Sequence, residues 1–182
     1  MEDIMKKVLV VIDMQNDFVD GSLGSDDCCA TVGPVIREIE SSDYDFIALT
    51  RDSHQPDYLN TLEGKNLPVE HCICGSKGWQ IRDDIMEAVR RSGKEYKIFD
   101  KKSFGSFALL GEMETYKDII EEITVVGLCT DICVVSNALL LRSMLNNTPI
   151  YYVKDATAGV SRERKEAAIT TMNACQIYEK KR

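Results

Sequence analysis

The sequence predicts a doubly wound α/β domain, and three observations carry that prediction. Five short, almost unbroken apolar runs recur along the chain, stretches of helical character separate them, and polar residues able to do chemistry stand at the ends of several runs. Unbroken apolar strands belong in a parallel sheet covered on both faces, and their alternation with helices is the pattern of a doubly wound sheet. A chain of 182 residues that is 44% apolar can bury one substantial core and is short for two. One domain over residues 1–182 is therefore expected.

The first run is KVLVVID, Lys7 to Asp13, and the first helical stretch follows at Val32 to Ile39. The second run is YDFIALT, Tyr44 to Thr50. After it, Arg51 to Gly78 fits neither the strand nor the helix period. Long irregular connections inside a compact domain are usually functional or disordered. This one leaves from the C-terminal end of a strand, where open parallel sheets place their ligands. A helix from Gly78 to Arg91 leads to the third run, EYKIFD, Glu95 to Asp100, and EITVVG, Glu122 to Gly127, is the fourth. The helix expected from Thr130 to Leu145 ends at the turn NNTP, before IYYVKD, Ile150 to Asp155. Ser161 is placed to cap a helix running to Ala174, and CQIYE, Cys175 to Glu179, is the candidate for a last short strand.

Charge and cysteine usage remove several classes of function. Twenty-two basic residues stand against 30 acidic ones, for a net charge of -8, and no basic stripe is interleaved with aromatics. Nucleic acid is not an expected partner. MEDIMKKVLVVIDMQ lacks the long apolar segment and cleavage site of a secretory leader, and no run reaches membrane-spanning length. The seven cysteines, at 28, 29, 72, 74, 129, 133 and 175, form no even framework, which fits a reducing, cytoplasmic setting.

The strand ends gather Asp13, Asp52, Lys101 or Lys102, and Cys129 with Cys133 along one rim of such a sheet. If Thr130 or Asp131 caps the following helix, Cys133 falls in its first turn, where free amides and the helix dipole favour a thiolate. Its pKa is then expected to fall, which makes it a better nucleophile than Cys129. The competing reading is that both cysteines are small buried hydrophobes. Asp13, ending a buried strand, is expected to have a raised pKa and so to serve as proton acceptor, with a lysine steadying the charge. Its bland alternative is a turn residue bonding local amides. Asp52, His54 and His71 combine ligand types that suit zinc, iron or manganese, and Glu63 lies in the same loop as a fourth. His71 with Cys72 and Cys74 is a competing set that would bind zinc through sulfur.

Five segments in order, VLVVIDMQNDFVDGSL, TRDSHQPDY, LPVEHCICGSKGWQI, DKKSFGSF and GLCTDICVVSNAL, resemble successive motifs of the isochorismatase-like cysteine hydrolases, in the branch containing nicotinamidases. The resemblance implies a three-layer αβα sandwich around a mainly parallel six-stranded sheet. It implies a catalytic triad of Asp13, Lys101 and Cys133, selecting Lys101 over Lys102. It also implies a cis peptide between Leu128 and Cys129, with the amides of Cys129 and Cys133 forming an oxyanion hole. Asp52, His54 and His71 would hold a divalent metal, zinc ahead of iron or manganese, with Glu63 as an added ligand, and Phe18 would pack on the substrate ring. The activity implied is hydrolysis of nicotinamide to nicotinate and ammonia through a thioester, within NAD salvage, by a homo-oligomer. One departure bears on substrate. Where that branch carries a Trp before its histidine, this chain has Leu67, and Trp79 stands eight positions beyond His71. Another amide, N-carbamoyl or ureido substrate is the alternative. A non-catalytic binding or signalling module is the alternative of a different class.

Overall fold

Val8, Leu9, Val10, Val11 and Ile12 are each at most 1% exposed, so strand β1 (Lys7–Ile12) is covered on both faces. The computed structural model describes residues 6–181; Met1 to Met5, part of the segment read above for a leader, and Arg182 lie outside the described residues. Around β1 the strands β2 (Phe46–Asp52), β3 (Glu95–Lys101), β4 (Glu122–Leu128), β5 (Ile150–Ala158) and β6 (Ile177–Glu179) form one sheet in the order β3-β2-β1-β4-β5-β6. Every pairing is parallel. The sheet is thus wholly parallel, and CQIYE supplies its sixth strand.

The period of two along β1 sorts its side chains between two cores. Val8, Val10 and Ile12 meet Leu109 and Met113 of α5 (Phe107–Thr115), Ala138 and Leu141 of α6 (Val135–Met144), and Ile169 and Met172 of α7 (Arg162–Ala174). Leu9 and Val11 meet Val35 and Ile39 of α2 (Asp26–Glu40), and Ile85 and Val89 of α4 (Asp83–Ser92). Three layers result, as expected. Each fully buried aliphatic side chain contributes about 2 kcal/mol of transfer free energy. Short helices α1 (Asn16–Val19) and α3 (Leu62–Asn66) lie in the loops after β1 and β2.

Local chemistry sets the helix limits. Ser25 accepts the amide of Cys28 and starts α2 well before Val32, with Asp26 and Asp27 favourably placed in its first turn. Gly93, at φ 67°, closes α4 in the left-handed conformation. Ser161 caps α7 through the amide of Arg164, as the sequence predicts. Among the described residues no helix is long and apolar enough to cross a membrane.

The chain runs outward from β1 through β2 to β3, then returns to place β4 on the other side of β1. The C-terminal ends of β1 and β4 are therefore the switch point, where an open parallel sheet forms its ligand crevice. Gly127 makes the close approach there possible. Its φ is 107°, and a Cβ at this position would collide with the carbonyl oxygen of Ile12.

Candidate active site

Asp13 follows β1 with φ 47°, a left-handed conformation that turns its carboxylate back over the sheet end. Its amide meets the Thr50 carbonyl at 3.3 Å, and the Thr50 hydroxyl donates to Asp13 Oδ1 at 2.7 Å. Lys101, the last residue of β3, places Nζ 2.7 Å from Asp13 Oδ2 and 3.4 Å from Asp52 Oδ1. The same ammonium lies 3.4 Å from Cys133 Sγ. Asp13, Lys101 and Cys133 are all buried, whereas Lys102 is exposed. The geometry thus separates the two lysines that local sequence left open.

Burial raises the pKa of Asp13 even with Lys101 opposing, in the direction expected. Burial also opposes the charge on Lys101, yet Asp13, Cys133 and Asp52 outweigh it and hold the ammonium above its ordinary value. For Cys133 the expectation fails. Its thiol is pushed well above the ordinary value by burial first and Asp13 second, with Lys101 only partly compensating. It stands in a π-helical turn, Thr130–Val134, ahead of α6 rather than in the first turn of a regular helix. The favourable field of an open helix start does not decide its state.

Several positioning groups escaped the sequence reading. Asn137 donates to the carbonyls of Cys133 at 2.8 Å and Phe104 at 3.0 Å, and accepts the Ser106 amide at 2.9 Å. It ties the segment after β3 to the cysteine turn. Gln15, fully buried, accepts the Asp52 amide at 2.7 Å and donates to the carbonyls of Asp52 and Trp79 at 2.8 Å each. It joins the loop after β1 to the end of β2. The peptide between Leu128 and Cys129 is cis, as the resemblance implied.

Beside Lys101 lies a second group. One ligand atom from each of Asp52, His54, Glu63 and His71 falls within 4.8 Å of the others. His54 Nε2 is 3.0 Å from Asp52 Oδ2 and 3.7 Å from Glu63 Oε1, and His71 Nε2 is 3.8 and 3.9 Å from the same atoms. His71 Nδ1 is 2.8 Å from the Val69 carbonyl, which fixes that nitrogen as the donor and leaves Nε2 free to ligate. His54 Nε2 and Asp52 Oδ1 are buried with only the ion-pair contacts given above, to Asp52 and Glu63 for the first and to Lys101 for the second, and no further hydrogen-bond partner, a condition that a bound cation relieves. Two imidazoles and two carboxylates suit a divalent metal. The alternative sulfur set does not assemble, because Cys72 is buried in the core with Ile85 while Cys74 is exposed.

Tyr58, also missed from sequence, backs this pocket. Its ring centroid lies 4.6 Å from that of His54 and 4.9 Å from that of His71, and its hydroxyl donates to the Leu67 carbonyl at 3.0 Å. Phe18 of α1 stands 5.4 Å from the His71 ring on another side. Trp79 is placed elsewhere. Its Nε1 donates to Ser53 Oγ at 2.8 Å, and the Arg51 guanidinium lies 3.5 Å from its ring centroid. It buttresses the end of β2 through a cation–π contact.

A charge-coupled aspartate, lysine and cysteine at the switch point of a parallel sheet define a candidate for covalent catalysis by sulfur. The chain belongs to the isochorismatase domain family, whose match spans residues 7–178. It is 26% identical over 189 residues to the nicotinamidase/pyrazinamidase of Mycobacterium tuberculosis, covering 94% of this chain and 96% of that one. Its fold matches the crystal structure of a pyrazinamidase/nicotinamidase from Streptococcus mutans with a TM-score of 0.84 at 23% identity, over 96% and 100% of the two chains. It also matches a pyrazinamidase of Pyrococcus horikoshii in complex with zinc, with a TM-score of 0.73 at 22% identity, over 97% and 99%.

Proposed function

We propose that this chain is a single cysteine hydrolase domain that cleaves a carboxamide, with nicotinamide as substrate and nicotinate and ammonia as products. The observation that carries the reading is the Lys101 ammonium, within 3.4 Å of both the Asp13 carboxylate and the Cys133 sulfur in a buried site. Its raised pKa makes Asp13 a stronger base than an ordinary carboxylate, and the raised pKa of Cys133 keeps the resting thiol protonated. Proton transfer then accompanies attack rather than preceding it.

Asp13 takes the Cys133 proton as the sulfur adds to the carboxamide carbon. The amides of Cys129 and Cys133 hold the oxyanion. Asp13 returns the proton to nitrogen, the C–N bond breaks, and ammonia leaves a thioester. Asp13 next deprotonates water, which adds to the thioester and releases the acid and the thiol. Lys101 balances the negative charge through both halves. Phe18 packs against the substrate ring. Asp52, His54 and His71, with Glu63 completing the set, would hold a divalent metal, zinc as the first choice, which would supply Lewis acidity for orienting the substrate ring. A homo-oligomeric, cytoplasmic enzyme of NAD salvage belongs to the same reading.

One observation favours a second substrate class. Leu67, 38% exposed, stands where the nicotinamidase branch carries Trp, so one aromatic wall is lost and a smaller N-carbamoyl or ureido compound fits the same chemistry. The deciding experiment is ammonia release by the purified protein from nicotinamide and from carbamoyl compounds, with Cys133→Ala alongside. Turnover of nicotinamide is expected, lowered in the variant by a factor on the order of 10⁴ or more. Cys133-dependent release from carbamoyl compounds alone would retain the mechanism and reject nicotinamide.

A further inference from the structure

The turn that follows Asp13 reaches the loop between β2 and α4 at three places. At the start of that loop Gln15 holds both backbone groups of Asp52. At its far end Asn16 and Asp17, the first residues of α1, donate their amides to the carbonyls of Gln80 and Gly78 at 3.0 Å each. Between the two, Asp17 Oδ2 accepts the amide of Cys72 at 2.7 Å. Cys72 is the residue after His71, fully buried and left-handed at φ 48°. Its carbonyl accepts the His54 amide at 3.0 Å, and the His54 carbonyl accepts the Cys74 amide at 2.9 Å. The backbone beside His71 is thus tied to His54 on one side and to the Asp17 carboxylate on the other.

Backbone hydrogen bonding explains why a side chain is needed here. The parallel bridge between His54 and Ile73 uses the Cys72 carbonyl and the Cys74 amide, and leaves the Cys72 amide outside it. A buried amide needs a partner, and Asp17 supplies it. The fit is close, since a Cβ at Gly78 would collide with the Asp17 carboxylate. The contact of His71 Nδ1 with the Val69 carbonyl fixes the rotation of the ring. It does not fix where the backbone that carries the ring stands.

We propose that Asp17 is a positioning residue for the metal centre. Its carboxylate fixes the Cys72 amide, and through it the place from which His71 Nε2 meets the ligand atoms of Asp52, His54 and Glu63. Asp17 acts through the backbone and not as a ligand. What it contributes is an acceptor oxygen at one fixed distance from α1, so the length of the side chain matters and its charge does not. The same turn carries Phe18, whose ring stands 5.4 Å from that of His71. One short segment after Asp13 therefore places both the aromatic wall and the second histidine. The inference rests on the metal site read above and not on the identity of the amide substrate.

Zinc titration by calorimetry tests this with no substrate present, on chelator-stripped protein of the parent and of Asp17→Ala, Asp17→Asn and Asp17→Glu. Asp17→Ala leaves the buried amide unpaired and should raise the zinc Kd about tenfold or more, the usual effect of removing a group that orients a ligand. Asp17→Asn keeps an acceptor oxygen at the same length and should stay close to the parent. Asp17→Glu keeps the charge, moves the oxygen by one methylene, and should weaken zinc as Asp17→Ala does. A purely structural role would lower the Tm of the stripped Asp17→Ala protein and leave its zinc Kd unchanged, which would overturn the proposal. So would parent-like affinity in Asp17→Glu with weakened Asp17→Asn, a pattern that assigns the effect to charge. If Asp17→Ala does not fold, the contrast between Asn and Glu decides alone. A parent that takes up no zinc would overturn the metal assignment and the role of Asp17 with it, whereas a parent that binds zinc beside an equally competent Asp17→Ala would overturn that role only.

Discussion

Asp13 is fully buried, and its two oxygens are divided between two partners. The Thr50 hydroxyl donates to Oδ1 and the Lys101 ammonium pairs with Oδ2. Because burial outweighs Lys101, protonation of Asp13 sets in above the ordinary carboxylate range. The base is active only when ionised, so kcat/KM should fall as pH drops through that raised value. Lys101 and the Cys133 thiol are both held up, so no alkaline loss is expected below about pH 9, near the ordinary thiol value. Lys101→Met keeps the length of the side chain and removes the countercharge. It should move the acid limb to higher pH and lower kcat by about 10²-fold or more. A pH profile of both proteins on one amide substrate checks this. An acid limb near 4 that does not move in the variant would remove Asp13 as the base.

Strand β4 shows how one element serves both catalytic groups. Its neighbour β1 leads into Asp13, and its own end leads to Cys133, with Gly127 packed directly against Ile12 between them. Gly127→Ala should destabilise the fold by about 2 kcal/mol or more, since it combines an unfavourable φ with a clash against Ile12. Denaturant unfolding would read the loss, and a midpoint within error of the parent would contradict the strain at that position. The central strands β1, β2 and β4 were legible because each holds a near-continuous apolar run buried on both faces, whereas β3 and β6 at the sheet edges are largely exposed. The start of α7 at Ser161 was legible too, because a cap is local chemistry. The start of α2 was not: the stretch read as helical begins at Val32, whereas Ser25 caps the helix ahead of Asp26. Thr50, Gln15 and Asn137 could not be read, since Thr50 and Gln15 act across 37 positions and Asn137 across 31 to the Ser106 amide. Nor could the sign of the Cys133 shift. It depends on depth of burial beside Asp13, which a helix-start argument does not contain.

At the scale of the whole molecule, the loop between β2 and α4 has little regular structure, and its ends are drawn together by side chains in place of a continuous ladder. Asp52 closes β2, while His54, Glu63 and His71 come from three further points along that loop. A cation bound to all four would cross-link the loop in the folded state and find no such site in the unfolded chain. Its binding energy therefore adds to folding stability. At a free metal concentration 100-fold above Kd the gain is about 2.7 kcal/mol, equivalent to about 5–10 °C in Tm for a chain of this size. Chelation should lower Tm by that amount, and added zinc should restore it. His71→Ala should show neither response, although its Tm differs little from that of the chelated parent. Calorimetry with and without metal reads the effect independently of any substrate. An unchanged Tm after chelation, together with equimolar zinc retained by His71→Ala, would place the metal elsewhere and leave the Asp52 and His54 pocket as a purely electrostatic neighbour of Lys101.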